Sequence, residues 1–478
     1  MSSHIEFFLS LFFLINTIIT ILIIILERKR PEKTIAWLLI IVLLPPVGLI
    51  LYLFLGRNWK KHKLSDEISP IIKEILTCTI NNIESSEYVS LIQLLNKNSD
   101  SPIFVNNDIT VFKDGIEKFE ALKYELKKAK HHIHLEYFIV KDDIIGNEIK
   151  NILIKKAREG VNVRFIIDRV GSIKISKNFI KELVEANVEV LQYSYFLAPI
   201  LRNFNTQINY RNHRKIVVID GNTGFIGGSN IGDEYLGKGK LGYWRDTHLM
   251  VKGDFVLGLQ AVFFDDYLTI KRANKDYYFN DEDIEDYFPI SKSCSGKIMQ
   301  LVKSGPDSPY HSILQGIIKM ISMAKSNIYI TSPYFVPNES VMEALKVAAL
   351  GGIDVRILFP GKYDHFIVHY ASRTYLYELI KCGAKVYFYD KNSFIHAKVI
   401  TIDGEVSQVG TANMDIRSFE LNYEINAVIY DKDKTKELDK LFFEDIKNST
   451  LINAEYYDNL PRSIKFIEAL TRLFSYLL

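Results

Sequence analysis

His213 and Lys215 stand two residues apart, and His396 and Lys398 repeat the spacing. Side chains two apart on a strand share a face, so each pair projects an imidazole and an ammonium together. A titrating ring beside a positive charge suits a phosphate diester, because the ammonium neutralises the anion while the ring attacks phosphorus or protonates oxygen. Each motif runs on to an Asp-Gly pair, Asp220-Gly221 and Asp403-Gly404, and then to Gly227-Gly228-Ser229-Asn230 and Gly410-Thr411-Ala412-Asn413. Asn230 and Asn413 therefore recur at one offset from their histidines, with amides that can donate to phosphate oxygens. If the half-sites share a cleft, one ring attacks phosphorus and the other protonates the departing alkoxide. The resulting phosphohistidine is resolved when the second ring deprotonates an incoming hydroxyl. The half-sites are chemically alike, so the repeat leaves open which ring is the nucleophile. Two lysines and two asparagines supply positioning and charge neutralisation, and the pattern calls for no metal or other cofactor.

Each imidazole also needs a carboxylate to fix its tautomer. Asp220 and Asp403 belong to the doubled motif and so enter the candidate catalytic set, although an Asp before Gly is what a hairpin turn wants and their weight is mainly structural. Asp246, in Trp244-Arg245-Asp246-Thr247-His248, and Glu424, in Leu421-Asn422-Tyr423-Glu424, lie at similar distances downstream of their histidines. They are expected to orient the rings; the competing reading is an ordinary salt-bridged carboxylate.

The elements that position these groups follow from composition and period. Each motif is a β-branched run entering a hairpin, with returning strands at Gly224 to Gly228 and Val406 to Gly410. Upstream, the pattern predicts helices over 116–130, 149–159 and 180–186, and strands over 133–140, 163–167 and 188–192. This is an α/β lobe with a largely buried sheet. The lobe then recurs: Gly352-Ile353-Asp354-Val355-Arg356-Ile357 echoes Gly160-Val161-Asn162-Val163-Arg164-Phe165, and Ala384-Lys385-Val386 echoes Val188-Glu189-Val190. The expected plan is an anchor over 1–58, a helical connector over 59–100, a first lobe over 101–270, a solvated acidic linker over 271–297, a second lobe over 298–450 and an amphipathic helix over 451–478. The terminal helix places Ile464, Ile467, Leu470, Leu473, Phe474 and Leu477 on one face, to pack on the second lobe or to lie in a membrane interface.

The chain of 478 residues can hold two lobes, and its net charge of +2 offers nucleic acid no bulk attraction. Cys78, Cys294 and Cys382 have no metal or redox spacing. His131-His132-x-His134 lacks an acidic or thiol ligand set and reads as surface or packing. Tyr137-Phe138 and Tyr334-Phe335 read as core, or as the mouth of the cleft. Tyr193, Tyr195, Phe196 and Leu197 form a loop placed either to touch acyl chains or simply on the surface. Ile5 to Leu26 and Ile35 to Leu55 are apolar runs of about 20 residues, the length that crosses a bilayer. They predict a multi-pass protein of the cell membrane with two transmembrane helices, against the alternative of a buried soluble helix pair. Trp37 and Trp59 stand near the ends of the second run, as interface anchors would. Basic residues crowd both flanks, so the positive-inside count is a near tie.

The doubled His-x-Lys-x4-Asp with its Gly-x-x-Asn resembles the phospholipase D superfamily. Arg30-Pro31-x-Lys33-Thr34-x-Ala36-Trp37, Leu44-Pro45-Pro46-Val47-Gly48 and Asn413-Met414-Asp415-Ile416-Arg417-Ser418 are similar to bacterial cardiolipin synthases, with Tyr476 where that family's tail suggests Pro. The resemblance spans the chain from about Glu27. It implies a membrane-bound phosphatidyltransferase that makes cardiolipin and glycerol from two phosphatidylglycerols, with His213 as nucleophile and His396 as acid/base. A hydrolase of the same superfamily, acting on phospholipids or, less readily, on nucleic acid, is the alternative; a catalytically dead membrane scaffold is the third reading.

Overall fold

The computed structural model of the chain describes residues 31–52, 87–193, 210–273, 284–289 and 295–475, with isolated positions between 11 and 26. Half of the first apolar run, residues 53–58 of the anchor and 59–86 of the connector, Tyr195 to Leu197, most of the acidic linker and Tyr476 lie outside the described residues. The chain divides into two compact units, residues 1–63 with 195–210, and residues 64–194 with 211–478.

In the smaller unit the second apolar run is not one span. The helix Pro31–Leu43 stops and Pro45–Leu51 starts afresh, with Leu44 at φ −135° and ψ 64° between them. Pro45 and Pro46 supply no N–H to the preceding turn, and a residue before Pro is pushed out of the helical region. The chain folds back so closely that a Cβ on Gly48 would lie 2.7 Å from the Ile40 carbonyl oxygen. Trp37 and Tyr52 pack edge to face at 5.5 Å. Among the described residues no helix is long and apolar enough to cross a membrane.

The larger unit is built on one long mixed sheet flanked by helices. Glu189–Tyr193, Asn162–Asp168 and His132–Tyr137 pair in parallel at one end. Lys215–Ile219, Thr223–Gly227, Trp244–Gly253 and Ile103–Asp114 continue antiparallel. Ile103–Asp114 then pairs with Lys297–Ser304. From there the order is mirrored through Asn422–Ile429, Val406–Gly410, Val399–Ile402, Asn327–Thr331, Asp354–Phe359 and Lys385–Tyr389. Ser449–Ile452 closes the far edge. Followed ladder by ladder, the line has two ends and does not close on itself. The duplicated lobes thus meet edge to edge. They also share a core, because Ile216, Val218, Leu249 and Val251 of the first cluster with Val409, Ile425, Ala427 and Ile429 of the second. Each such burial is worth about 1.5–3 kcal/mol.

In the described part of the acidic linker Glu285 and Asp286 are exposed, while the apolar residues on either side of them turn inward. Ile284, Tyr287 and Phe288 are buried, and the Asn162 amide donates to the Tyr287 hydroxyl at 2.8 Å. The connector helix Val89–Ser99 likewise buries Leu91, Ile92 and Leu95, and its Asn98 amide donates to Gln315 in the second lobe.

Asp220 and Asp403 stand at the far end of their strands from the histidines, in left-handed conformations at φ 51° and 55°. The Asp220 carboxylate accepts from the backbone N–H groups of Lys130, His131 and His132, and Asp403 accepts from those of Lys325, Ser326 and Asn327. Each fastens the chain entering the neighbouring strand, His132–Tyr137 or Asn327–Thr331. This corrects their place in the candidate catalytic set: the motif's Asp is a turn staple. Burial pushes the Asp403 carboxyl up, and its N–H donors outweigh that, so it titrates below its ordinary value. Asp403→Ala is expected to cost about 1–3 kcal/mol of stability in denaturant unfolding, with the folded fraction retaining its turnover number. A collapsed kcat at unchanged stability would assign the carboxylate to the chemistry instead.

Candidate active site

Two short parallel pairings bring the half-sites together. Arg211–Asn212, just before the first histidine, pairs with Asn422–Tyr423 of the second lobe. Phe394–Ile395, just before the second, pairs with Trp244–Arg245 of the first. The His213 backbone N–H donates to the Tyr423 carbonyl at 3.0 Å, and that of His396 to the Arg245 carbonyl at 2.7 Å. The next residue along each accepting strand is a carboxylate. His213 Nδ1 lies 2.9 Å from Glu424 Oε1 and 3.0 Å from its Oε2. His396 Nδ1 lies 2.9 Å from Asp246 Oδ2.

Asp246 and Glu424 therefore each meet an imidazole at Nδ1, but the pairing is crossed: each ring takes its carboxylate from the other lobe. A similar downstream offset suggested partners within a lobe, because sequence distance carries no information about the two inter-lobe pairings. A carboxylate only accepts, so each Nδ1 carries the proton and Nε2 keeps its lone pair for chemistry. Both carboxylates are fully buried and held in turn. Asp246 Oδ1 accepts from the Thr247 N–H at 2.7 Å, and Glu424 Oε1 from the Asn422 amide at 3.1 Å. Gly228 makes room for this, since a Cβ there would fall 2.2 Å from Asp246 Oδ1.

The lysines are equally buried. Lys215 Nζ donates to the His213 carbonyl at 2.8 Å and Lys398 Nζ to that of His396 at 2.6 Å. Lys398 Nζ also sits 3.1 Å from each ring nitrogen of His396. Burial lowers the His213 ring to about 4, with Glu424 opposing and the two lysines adding to the shift. Burial, then Lys398, lowers His396. Burial brings Lys215 down to about 7 against the pull of Glu424, and Lys398 down to about 8 against Asp246 and Glu424. Lys398 acts on the first ring and Lys215 on the second, so the groups occupy one electrostatic neighbourhood. The imidazoles already occupy both carboxylates, and an anion between the lysines would relieve the cost of burying them.

Asn230 is partly committed. Its Oδ1 accepts from the Ile139 N–H at 3.1 Å, and its Nδ2 donates to the Tyr235 hydroxyl at 2.8 Å, which leaves one N–H. The Asn413 backbone N–H donates to Ser418 Oγ, and its own buried Oδ1 has no partner among the described residues. Tyr235 and Ser418 each stand five residues after their Asn, a correspondence visible in the repeat but not singled out. Of the aromatic walls, Phe138 fits its reading as the mouth of the cleft, and Tyr235 and Trp244 are new. Phe138 meets the His213 ring edge to face at 4.8 Å, while Tyr235 and Trp244 flank His396 at 5.7 and 5.4 Å. Tyr137 is core, and Tyr193 packs on Tyr423. His132 and His134 are buried and linked through Gln260, with Arg164 closing the chain on His134; this is a packing network.

A family described as "Cardiolipin synthase, PLD-like domain" matches residues 122–240 and again 317–446, and one described as "Phospholipase_D-nuclease N-terminal" matches residues 15–57. The cardiolipin synthase of Geobacillus sp. is 43% identical over 95% of this chain and 90% of its own length. The major cardiolipin synthase of Bacillus subtilis is 42% identical over 98% of each chain. A crystal structure of Haemophilus influenzae phosphatidylserine synthase superposes with a TM-score of 0.64 at 15% identity, over 82% of this chain and all of that one, and shares the fold.

Asp246→Asn and Glu424→Gln are each expected to lower turnover by about 100-fold or more. In NMR titrations of selectively labelled histidines, Asp246→Asn should move the His396 resonances and leave those of His213 in place. The opposite assignment would refute the crossed pairing.

Proposed function

The chain belongs to the bacterial cardiolipin synthases of the phospholipase D superfamily, and from that premise we propose that His213 attacks one phosphatidylglycerol while His396 protonates the glycerol that leaves. The enzyme joins two phosphatidylglycerols into cardiolipin and glycerol. The observation that supports the mechanism is the pair of crossed Nδ1–carboxylate contacts, which hold the proton on each Nδ1 and keep Nε2 as the reacting nitrogen, that of His396 facing Lys398 Nζ at 3.1 Å.

In the first half-reaction His213 Nε2 bonds to phosphorus, the phosphorus–oxygen bond to the headgroup glycerol breaks, and the alkoxide takes the proton held by His396. In the second, the terminal hydroxyl of another phosphatidylglycerol gives its proton to His396, its oxygen bonds to phosphorus, and the P–N bond breaks. A ring lowered to about 4 is neutral at physiological pH, as a nucleophile must be. His396, also lowered in the empty site, gains affinity for a proton once the diester anion lies beside it. Lys215 and Lys398 neutralise the non-bridging oxygens, and Asn230 and Asn413 donate to them.

The apolar residues of 1–58 anchor the enzyme in the bilayer, a reading that the length of the run over 5–26 and the match over 15–57 support. The segment after Pro31 enters folded back on itself. Lobes over 101–270 and 298–450 each carry one His-Lys-Asn set, and each set is completed by a carboxylate of the other lobe.

Purified enzyme with phosphatidylglycerol in detergent should yield cardiolipin and glycerol in equal amounts; phosphatidic acid as sole product would replace the transferase with a hydrolase. His213→Ala and His396→Ala should each reduce transfer to background, and near-normal turnover in either would overturn the shared site. The pH profile has a defined sign. Protonated lysines are needed, so kcat/KM should fall as pH rises through about 7 to 8, the range over which the free enzyme's ammoniums lose their charge. A kcat/KM unchanged up to pH 10 would contradict this.

A further inference from the structure

The helix Arg462–Arg472 half-buries Ile464 and Ile467 and leaves the rest of its described apolar stripe outside. Its buried residues are Glu468 and Thr471, whereas Phe466, Leu470, Leu473 and Phe474 are 67%, 46%, 77% and 44% exposed. The sequence left two places for the apolar stripe, against the second lobe or in a membrane interface. The inward side is fixed by ion pairs: Glu468 to Arg373 at 2.8 Å and Arg472 to Glu378 at 2.5 Å. The Arg472 guanidinium also lies 4.5 Å from the Tyr375 ring.

These contacts fix the neighbour of the helix. Glu468 meets Arg373 and Arg472 meets Glu378, so the helix packs on Phe366–Lys381, whose amino-terminal end lies on the far side of Arg373 from Glu378. At that end Tyr363, Phe366 and Ile367 are exposed large apolar residues. The same end borders the catalytic cleft, because Asp364 accepts from the Tyr334 hydroxyl and contributes to the electrostatics of Lys398. Charge selects the occupant. Arg462 and Lys465 are exposed beside the apolar residues, and the helix's one acid, Glu468, is taken by Arg373. Exposed apolar residues rimmed by cations fit an anionic lipid surface, and phosphatidylglycerol is itself an anion.

We propose that the outward face of Arg462–Arg472, together with Tyr363, Phe366 and Ile367, seats the catalytic unit on an anionic bilayer, with the aromatic and leucine side chains inserted at the boundary between headgroups and acyl chains. The cleft edge at Asp364 is thereby held against the surface from which donor lipid is drawn. The assignment rests on the lipid-substrate reading and adds a contact separate from the amino-terminal anchor.

The test uses the full-length enzyme in vesicles of phosphatidylglycerol and phosphatidylethanolamine. Leu470→Cys, in a background without the native cysteines, carries a polarity-sensitive dye. A blue-shifted emission quenched by lipids brominated along their acyl chains is expected. Emission characteristic of water would overturn the proposal. So would a blue shift without quenching, which means that a second copy or another segment of this chain covers the face. Independently, Phe466→Ser with Leu470→Ser should lower turnover on vesicles at least fivefold while sparing turnover on monomeric short-chain phosphatidylglycerol; equal losses on both would overturn it. Quenching does not require turnover, so a wild-type enzyme that made no cardiolipin would end the functional reading and leave the lipid contact to be decided separately.

Discussion

Each imidazole depends on a proton acceptor carried by the opposite lobe, and the rest of the architecture follows from that exchange. Glu424 can reach His213 only if Asn422–Tyr423 pairs with Arg211–Asn212, and Asp246 can reach His396 only if Trp244–Arg245 pairs with Phe394–Ile395. Those pairings in turn require the lobes to stand edge to edge, which the ladder between Ile103–Asp114 and Lys297–Ser304 enforces. A shared core behind these strands makes separation of the lobes costly. Neither lobe holds a complete half-site of its own.

The same exchange explains how a chain with a net charge of only +2 serves an anionic substrate. The positive charge is concentrated instead of spread: Lys215 and Lys398 are buried with the rings, and their natural counter-ions are engaged on Nδ1. Buried cations are held at a cost even with Glu424 and Asp246 attracting them, visible in the lowered proton affinity of both amines. A diester entering between them restores what burial removed, so part of its binding is preorganised into the fold.

Local chemistry was legible in the sequence, and non-local pairing was not. The strand faces of His213 and Lys215, the hairpins and the duplicated order of elements follow from periodicity and turn composition. The left-handed conformations of Asp220 and Asp403 fit the Asp-Gly reading, and their bonds to Lys130, His131 and His132 or to Lys325, Ser326 and Asn327 exhaust the motif's carboxylate in structural work. What escaped was anything decided by a partner far along the chain: which carboxylate meets which ring, the burial of Tyr287 against the first lobe, and which side of the terminal helix turns inward. In that helix an apolar stripe lost to the ion pair between Arg373 and Glu468. The break at Leu44 was written in Pro45-Pro46 but was overridden by the apolar length of the run.

The crossing has a consequence for how the protein is made. A nascent chain leaves the ribosome amino terminus first, so His213 is exposed to its surroundings some two hundred residues before Glu424 is synthesised. Until then the ring has no acceptor to fix its tautomer, and its lobe lacks the neighbouring edge that buries it. An unfinished polypeptide is chemically mute toward the lipids around it, and reactivity arrives only when the last strands are in place.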